Sequence, residues 1–358
     1  MAPILFLHIP RTGGMSLKQM CVEALGTSRC LTDVHFLRVE REHGFRLGDF
    51  DFVEGHVVAG FFDLTDAAAA WPDRGYTVLR DPVARVVSQA VHVRHRPEQV
   101  RGDEWRATLR AEVRDPHDVF DRVPALTDLQ TRQLGFPPFR WHHRQADESA
   151  YAAATALLDQ MPFGLTEAFA VSTALFADRF GLLLPGIART NASPVTGDED
   201  LRSAEFAAVA RERNGFDRRL HEFAVERFAV RQRAHAAALL DLDAEEAPVD
   251  LRIGSPVPGA DGMIPVTADA TEIVVHGTLV LGGAPAEAAL VRSGDNLVPV
   301  GCRFASPRQA EATGDPGQRF VGIEGRVPVP AGVSSLEVIA VDRTRRRRGS
   351  VRIGLTQR

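Results

Sequence analysis

Ile4-Leu5-Phe6-Leu7-His8-Ile9-Pro10-Arg11-Thr12-Gly13-Gly14-Met15-Ser16-Leu17 is the stretch that decides the fold. Its first six residues form a short apolar run, the pattern of a strand buried on both faces. From Leu17 the period changes: Leu17, Met20, Cys21, Ala24 and Leu25 recur at helical spacing, and Gly26 supplies a stop. Strand, tight glycine turn and helix together aim backbone N–H groups and the positive end of a helix dipole at one point, where an anion, most often a phosphate, is stabilised. Gly13 and Gly14 permit close approach, while Arg11, Thr12 and Ser16 add donors. The turn lacks the Gly-Lys-Ser/Thr of ATP and GTP loops. Its adjacent glycines also miss the G-x-G-x-x-G spacing of dinucleotide folds.

A second site of the same kind follows. Residues 52–58 and 76–79 read as strands, and the latter runs into Arg80-Asp81-Pro82. Asp81 suits a helix N-cap and Pro82 the first turn. Val83, Val86, Val87, Ala90 and Val91 then give a helical apolar face. Arg80 therefore stands at the end of a strand, beside a helix start. Alternating strands and helices predict an α/β fold, a parallel sheet with helices on both sides.

Residues 8–16 resemble the 5′-phosphosulfate loop, H-I-P-K-T-G-G-T-S, of sulfotransferases that use 3′-phosphoadenosine 5′-phosphosulfate (PAPS). Arg11 replaces the usual Lys and Met15 a Thr; a planar fork is not a point charge, so donor geometry differs. Arg80, with Ser88 eight residues on, matches the family's 3′-phosphate motif. Gln130-Thr131-Arg132 resembles the Q-T-R segment of membrane-type and bacterial carbohydrate sulfotransferases. Phe163 to Phe169 is similar to a G-L-T-E-x-F turn, residues 189–193 to the loop that follows, and Asp217 and Leu220 to a late D-x-x-L-Y helix with His221 in place of Tyr. The resemblance covers about residues 1–235. It implies a PAPS cradle of Arg11, Thr12, Gly13, Gly14, Met15, Ser16 and Leu17, completed by Arg80 and Ser88. Arg132 and Gln130 would line the cofactor or acceptor cleft. Arg11 would be the cation on the leaving phosphate.

Sulfuryl transfer also needs a base for the acceptor hydroxyl. Imidazole titrates near neutrality, which suits His56. Residue chemistry alone favours a structural histidine hydrogen-bonded at a strand end. Gly55-His56-Val57 resembles the G-H-V of uronyl 2-O-sulfotransferases, whose base is that His. Glu54 is the rival base; alternation puts both on one face, so that one orients the other. Glu167 reads as a turn partner. His142 and His143 are adjacent and lack a completing carboxylate or thiolate, so no metal is expected.

The 358 residues exceed one ordinary domain. Residues 1–240 are expected to form the PAPS-binding catalytic domain and 241–249, acidic and ending near a proline, a linker. Residues 250–358 carry short β-rich runs between Gly, Pro, Asp and Asn turns, predicting an all-β, sandwich-like accessory domain. Arg343 and the run 345–348 fall between two such strands as a hairpin loop, with binding of an acidic glycan as the alternative. A net charge of −5 gives no footprint for nucleic acid. Three cysteines imply no disulfide framework, and no run reaches membrane-spanning length. A strand so close to Met1 leaves no room for a leader, so a cytoplasmic protein is expected, and the resemblance implies a bacterial one. The resulting expectation is a sulfotransferase moving the sulfuryl group of PAPS to a carbohydrate or glycoconjugate hydroxyl. A P-loop-type kinase and a non-catalytic binding protein on the same scaffold are the alternatives.

Overall fold

The computed structural model describes residues 2–34, 46–96, 107–109, 112–137, 144–182, 184, 198–259, 261–267, 269–304 and 322–357. His142, His143 and the 189–193 loop lie outside these. The chain divides into two compact units, Met1–Glu167 with Arg189–Arg227, and Ala168–Ala188 with Phe228–Arg358.

The first unit is built on five parallel strands: β1 (Ile4–Leu7), β2 (Cys30–Val34), β3 (Phe52–Gly55), β4 (Gly75–Leu79) and β5 (Phe163–Leu165), in the order β2-β3-β1-β4-β5. Every residue of β1, β3, β4 and β5 is buried, which a parallel sheet covered on both faces requires. Helix α1 (Gly14–Leu25) ends at Gly26, whose φ of 89° is the left-handed conformation that glycine tolerates, and its N–H returns to Val22 O. Helix α2 (Pro82–His95) starts as its sequence predicts: Asp81 Oδ1 accepts from Ala84 N at 2.8 Å, and Pro82 fills the first turn. The shorter α3 (Pro116–Arg122), α4 (Leu129–Gly135) and α5 (Glu148–Gln160) follow, the first and last capped by Asp115 and Asp147. Apolar faces of α2 and α3 share a core with α7 (Ala204–Arg213) through Val86, Phe120 and Phe206.

Beyond β1 the chain crosses to β2 on one side; β4 and β5 lie on the other. The direction of winding reverses between β1 and β4, and a crevice opens outside the carboxyl ends of strands at such a point. The turns after β1, β3, β4 and β5 all emerge at that edge.

The second unit contains α6 (Phe169–Phe180), the later turns of α8 (Gly215–Leu240) and ten strands. These are β6 (Glu245–Glu246), β7 (Val249–Ser255), β8 (Ile264–Val266), β9 (Glu272–Leu281), β10 (Ala284–Pro285), β11 (Ala288–Ser293), β12 (Asn296–Phe304), β13 (Gly322–Pro328), β14 (Ser335–Asp342) and β15 (Arg347–Gln357). They form one mixed sheet whose main path runs β10-β9-β13-β12-β11-β14-β15-β6, with β7 on β9 and β8 on β15. It curls around a shared core that includes Val275, Val291, Val327, Val338 and Ile264. Helix α6 lies against β12 and β13. The arginine run makes the β14–β15 hairpin turn, and three of its side chains have these partners: Arg343 pairs with Asp178, Arg346 Nη2 with Asp243 Oδ2 at 3.1 Å, and Arg348 Nη1 donates to Leu240 O at 2.6 Å. Among the described residues no helix is long and apolar enough to cross a membrane.

Candidate active site

The turn after β1 is held in an unusual backbone conformation. Arg11 has φ 69° and Gly13 φ 89°, both left-handed, and Gly13 supplies α1 with an N-cap that has no side chain. The amides of Ser16 and Leu17 turn back to Gly13 O at 3.1 and 3.4 Å, so the outward-facing start of the helix is Gly14 and Met15. Thr12 is fully buried and its hydroxyl donates to Ile9 O at 2.9 Å, bracing the turn. Leu17 contributes a core side chain, while Met15 is 46 % exposed.

Arg80 extends from the end of β4. Gln130, buried on α4, holds the Arg80 backbone on both sides of its Cα: the amide nitrogen donates to Arg80 O and the amide oxygen accepts from Arg80 N, each at 2.9 Å. Arg80 Nη1 in turn donates to Arg11 O at 3.0 Å, and Arg11 Nε donates to Ser88 Oγ at 3.0 Å. Arg11, Arg80 and Ser88 are thus brought together, Arg80 through the Arg11 carbonyl and Ser88 through the Arg11 side chain. Burial lowers the pKa of both arginines, and the Arg80 charge lowers that of Arg11 further. Two half-buried cations that disfavour each other are stabilised by a shared anion. Thr166, just beyond β5, donates to Thr12 O at 2.6 Å and Leu79 O at 3.0 Å, and Glu167 accepts from Asp81 N at 2.8 Å. The G-L-T-E turn therefore fastens the two anion-facing turns together.

At the end of β3 lies a histidine pair. His8 Nδ1 bonds Glu54 Oε1; Glu54 Oε2 accepts from Asp33 N at 2.9 Å, with Lys18 Nζ 3.6 Å away. Burial raises the Glu54 pKa, but the His8 hydrogen bond and charge, the Asp33 amide and Lys18 outweigh it and hold the carboxyl at about 2. The His56 ring lies 4.2 Å from that of His8, and His56 Nδ1 is 2.7 Å from His8 O. A carbonyl oxygen only accepts, so Nδ1 carries the proton and Nε2 is the basic nitrogen of neutral His56. A β-carbon on Gly14 would stand 2.2 Å from His8 Cδ2 and 2.4 Å from Nε2, so His8 packs directly beneath the start of α1. The histidine pair and the anion-facing turn are neighbours.

Atoms of His8, Glu54 and His56 lie within 4.8 Å of one another, close enough for a metal. Both carboxylate oxygens and both Nδ1 atoms already have hydrogen-bond partners, and His8 Nε2 faces Gly14. Hydrogen bonds at Nδ1 to a carboxylate or a backbone carbonyl are those that accompany a histidine ligating through Nε2.

Arg132 is buried and its Nη1 donates to Pro124 O at 2.8 Å and Thr127 O at 3.2 Å. Beside it, Asp217 receives the Gln130 and Thr131 amides at 3.1 and 2.7 Å, capping α4 from 86 residues away in the case of Thr131. Asp217 N donates to Asp128 Oδ1 at 2.9 Å, and fully buried Arg85 faces Asp217 at 4.0 Å. Burial, then the Asp217 charge, push Asp128 up to about 7. A raised carboxyl pKa means that the folded chain binds a proton which the unfolded chain releases near pH 4. Asp128 therefore contributes stability at acid pH that is lost as pH rises toward 7. Asn supplies both donor and acceptor without ionising, and it tolerates the φ of 44° at this position. Asp128→Asn is expected to raise the melting temperature by a few degrees at pH 8 and to keep only a minor part of that gain at pH 5, where the unfolded carboxyl is still mostly ionised. Thermal unfolding at the two pH values checks it, and an equal gap at both would assign the effect elsewhere.

Sequence reasoning missed His8, Thr166 and the Gln130 clamp. All three were visible as members of motifs, but not as partners of Glu54, Thr12 and Arg80.

No protein-family profile matches the chain, and no curated protein matches it significantly. Among solved structures it is similar to a sulfotransferase from Alicyclobacillus acidocaldarius, with 14 % identity, a TM-score of 0.29, and coverage of 61 % of this chain and 96 % of that one. It is also similar to an endo-beta-1,4-mannanase from Thermotoga petrophila, with 8 % identity, a TM-score of 0.19, and coverage of 92 % and 56 %. Neither superposition is close enough to carry an argument.

Proposed function

We propose that the first unit is a PAPS-dependent sulfotransferase acting on a hydroxyl of a carbohydrate or glycoconjugate. The observation that carries this is the meeting of Arg11, Arg80 and Ser88 at the carboxyl edge of the sheet, next to a histidine whose tautomer is fixed for base catalysis. The start of α1 and Arg11 would take the 5′-phosphosulfate end of the donor. Arg80 and Ser88 would take the 3′-phosphate; Ser88 accepts from Arg11 and so keeps its own hydroxyl proton to donate. The donor supplies the sulfuryl group when bound. His56 Nε2 accepts the proton of the attacking hydroxyl, while Arg11 stabilises the charge that collects on the departing phosphate oxygen. Glu54, buried and ionised with both oxygens occupied, orients His8 rather than taking a proton.

Binding of 3′,5′-adenosine bisphosphate tests the cradle. A ligand at a hundredfold excess over its dissociation constant stabilises the fold by about 2.7 kcal/mol. The wild type is expected to melt several degrees higher with this compound, and Arg80→Ala to lose most of the increment. A shift with ATP and none with the bisphosphate would overturn the reading in favour of a kinase.

A further inference from the structure

We infer that Gln130 is a positioning residue: by clamping the Arg80 peptide it fixes the guanidinium that discriminates a ligand with a 3′-phosphate from one without. The inference rests on the function proposed above and goes beyond it, since Gln130 itself would touch neither donor nor acceptor.

Arg80 is the residue following β4, where ladder hydrogen bonding stops and the two peptide groups flanking its Cα depend on side chains for their constraint, with Thr166 on Leu79 O and Glu167 on Asp81 N. Gln130 restores that constraint with a side chain, donating to Arg80 O and accepting from Arg80 N at 2.9 Å each. An amide is the side chain suited to this, because it offers one donor and one acceptor at fixed spacing. Gln130 is 1 % exposed, so water does not compete for either bond.

The clamp is itself anchored. Asp217 Oδ2 accepts from Gln130 N at 3.1 Å, and Asp217 is held through its own amide by Asp128. Downstream, Arg80 Nη1 reaches Arg11 O at 3.0 Å. A continuous hydrogen-bonded path thus runs from Asp217 through Gln130 and Arg80 to the anion-facing turn. A guanidinium misplaced by even a fraction of an ångström loses the linear geometry that charge-assisted hydrogen bonds need.

Gln130→Leu keeps the volume and removes both bonds. Calorimetric titration with 3′,5′-adenosine bisphosphate and with adenosine 5′-monophosphate gives a preference ratio for each variant. In Gln130→Leu that ratio should fall by about tenfold, roughly one charge-assisted hydrogen bond, while monophosphate affinity is unchanged. A purely structural role would weaken both ligands alike or neither. Gln130→Glu serves as the second variant: protonated it can donate and accept as the amide does, and ionised it cannot donate. Its preference should approach that of wild type at pH 5 and fall below it at pH 8. A further readout needs no ligand: the Arg80 Nε–H cross-peak, assigned with Arg80→Lys, should be sharp in the wild type and broadened in Gln130→Leu. Wild type that shows no preference for the bisphosphate would sink the proposed function, and the cross-peak would then judge the clamp alone. An unchanged cross-peak, or an unchanged ratio where wild type has a preference, overturns the inference.

Discussion

His56→Ala is expected to lower sulfuryl transfer by a factor of about 10²–10⁴, the usual worth of a positioned general base, while leaving the affinity for 3′,5′-adenosine bisphosphate nearly unchanged. The split follows from the geometry. His56 Nδ1 is committed to His8 O at 2.7 Å, which orients Nε2 as the proton acceptor, while the Arg11–Ser88 bond is made by other side chains. Loss of the ring removes the base but neither Arg11, Arg80 nor Ser88. His56→Gln is the informative companion, since an amide can still donate to His8 O yet has no basic nitrogen; it should be as inactive as the alanine variant. Glu54→Gln discriminates the rival base. Its amide can still bond His8 but weakens the hold of Asp33 N and Lys18, so a smaller loss of turnover is expected than for His56→Ala. The measurement is turnover of radiolabelled PAPS against a panel of hydroxyl-bearing glycans, with bisphosphate binding as the control. An active His56→Ala beside a dead Glu54→Gln would reverse the assignment.

What the sequence discloses divides along a physical line. Local rules read well: Gly26 ends α1, Asp81 and Pro82 open α2, and the turns after β1 and β4 bring Arg11, Ser88 and Arg80 together. Each of these depends on neighbours within a few residues, or on the parallel sheet that alternation already suggests. Alternation likewise puts Glu54 and His56 in one cluster. The partner of a buried polar side chain is a different matter. Glu54 meets His8 across 46 residues, Gln130 meets Arg80 across 50, and Thr166 meets Thr12 across 154. Nothing in local composition encodes which way such a group turns, so Arg132 was expected in a cleft while its guanidinium bonds Pro124 and Thr127 carbonyls. In the second unit the strand β12 was hidden for another reason. Pro299 and Gly301 interrupt it, and both residues argue against a strand unless tertiary pairing overrides them, as the pairing of Pro299 with Leu290 does.

Gly14→Ala is expected to destabilise the protein and to abolish the bisphosphate-induced thermal shift, against what helix propensity alone predicts. Gly14 is the first residue of α1, where alanine would gain up to about 1 kcal/mol in a solvated helix. Space decides the sign. The new methyl would lie 2.2 Å from His8 Cδ2, well inside van der Waals contact. The imidazole has no easy retreat: Nδ1 is tied to a fully buried Glu54, Phe6 stacks at 5.5 Å, and His56 lies at 4.2 Å. Overpacking of this kind costs about 1–3 kcal/mol, enough to cancel the propensity gain and leave a deficit. The strain must move either the start of α1, which spoils the anion-facing turn, or the His8 ring, which carries His56 with it. His8→Ala separates collision from propensity. Alone it strands the Glu54 carboxylate and should destabilise; combined with Gly14→Ala it removes the collision, so the double variant should melt higher than the sum of the single effects allows. Thermal unfolding of the four proteins closes this cycle. A melting temperature that rises in Gly14→Ala alone would show that the loop yields freely, and with it would go the claim that His8 and the helix start are packed as one site.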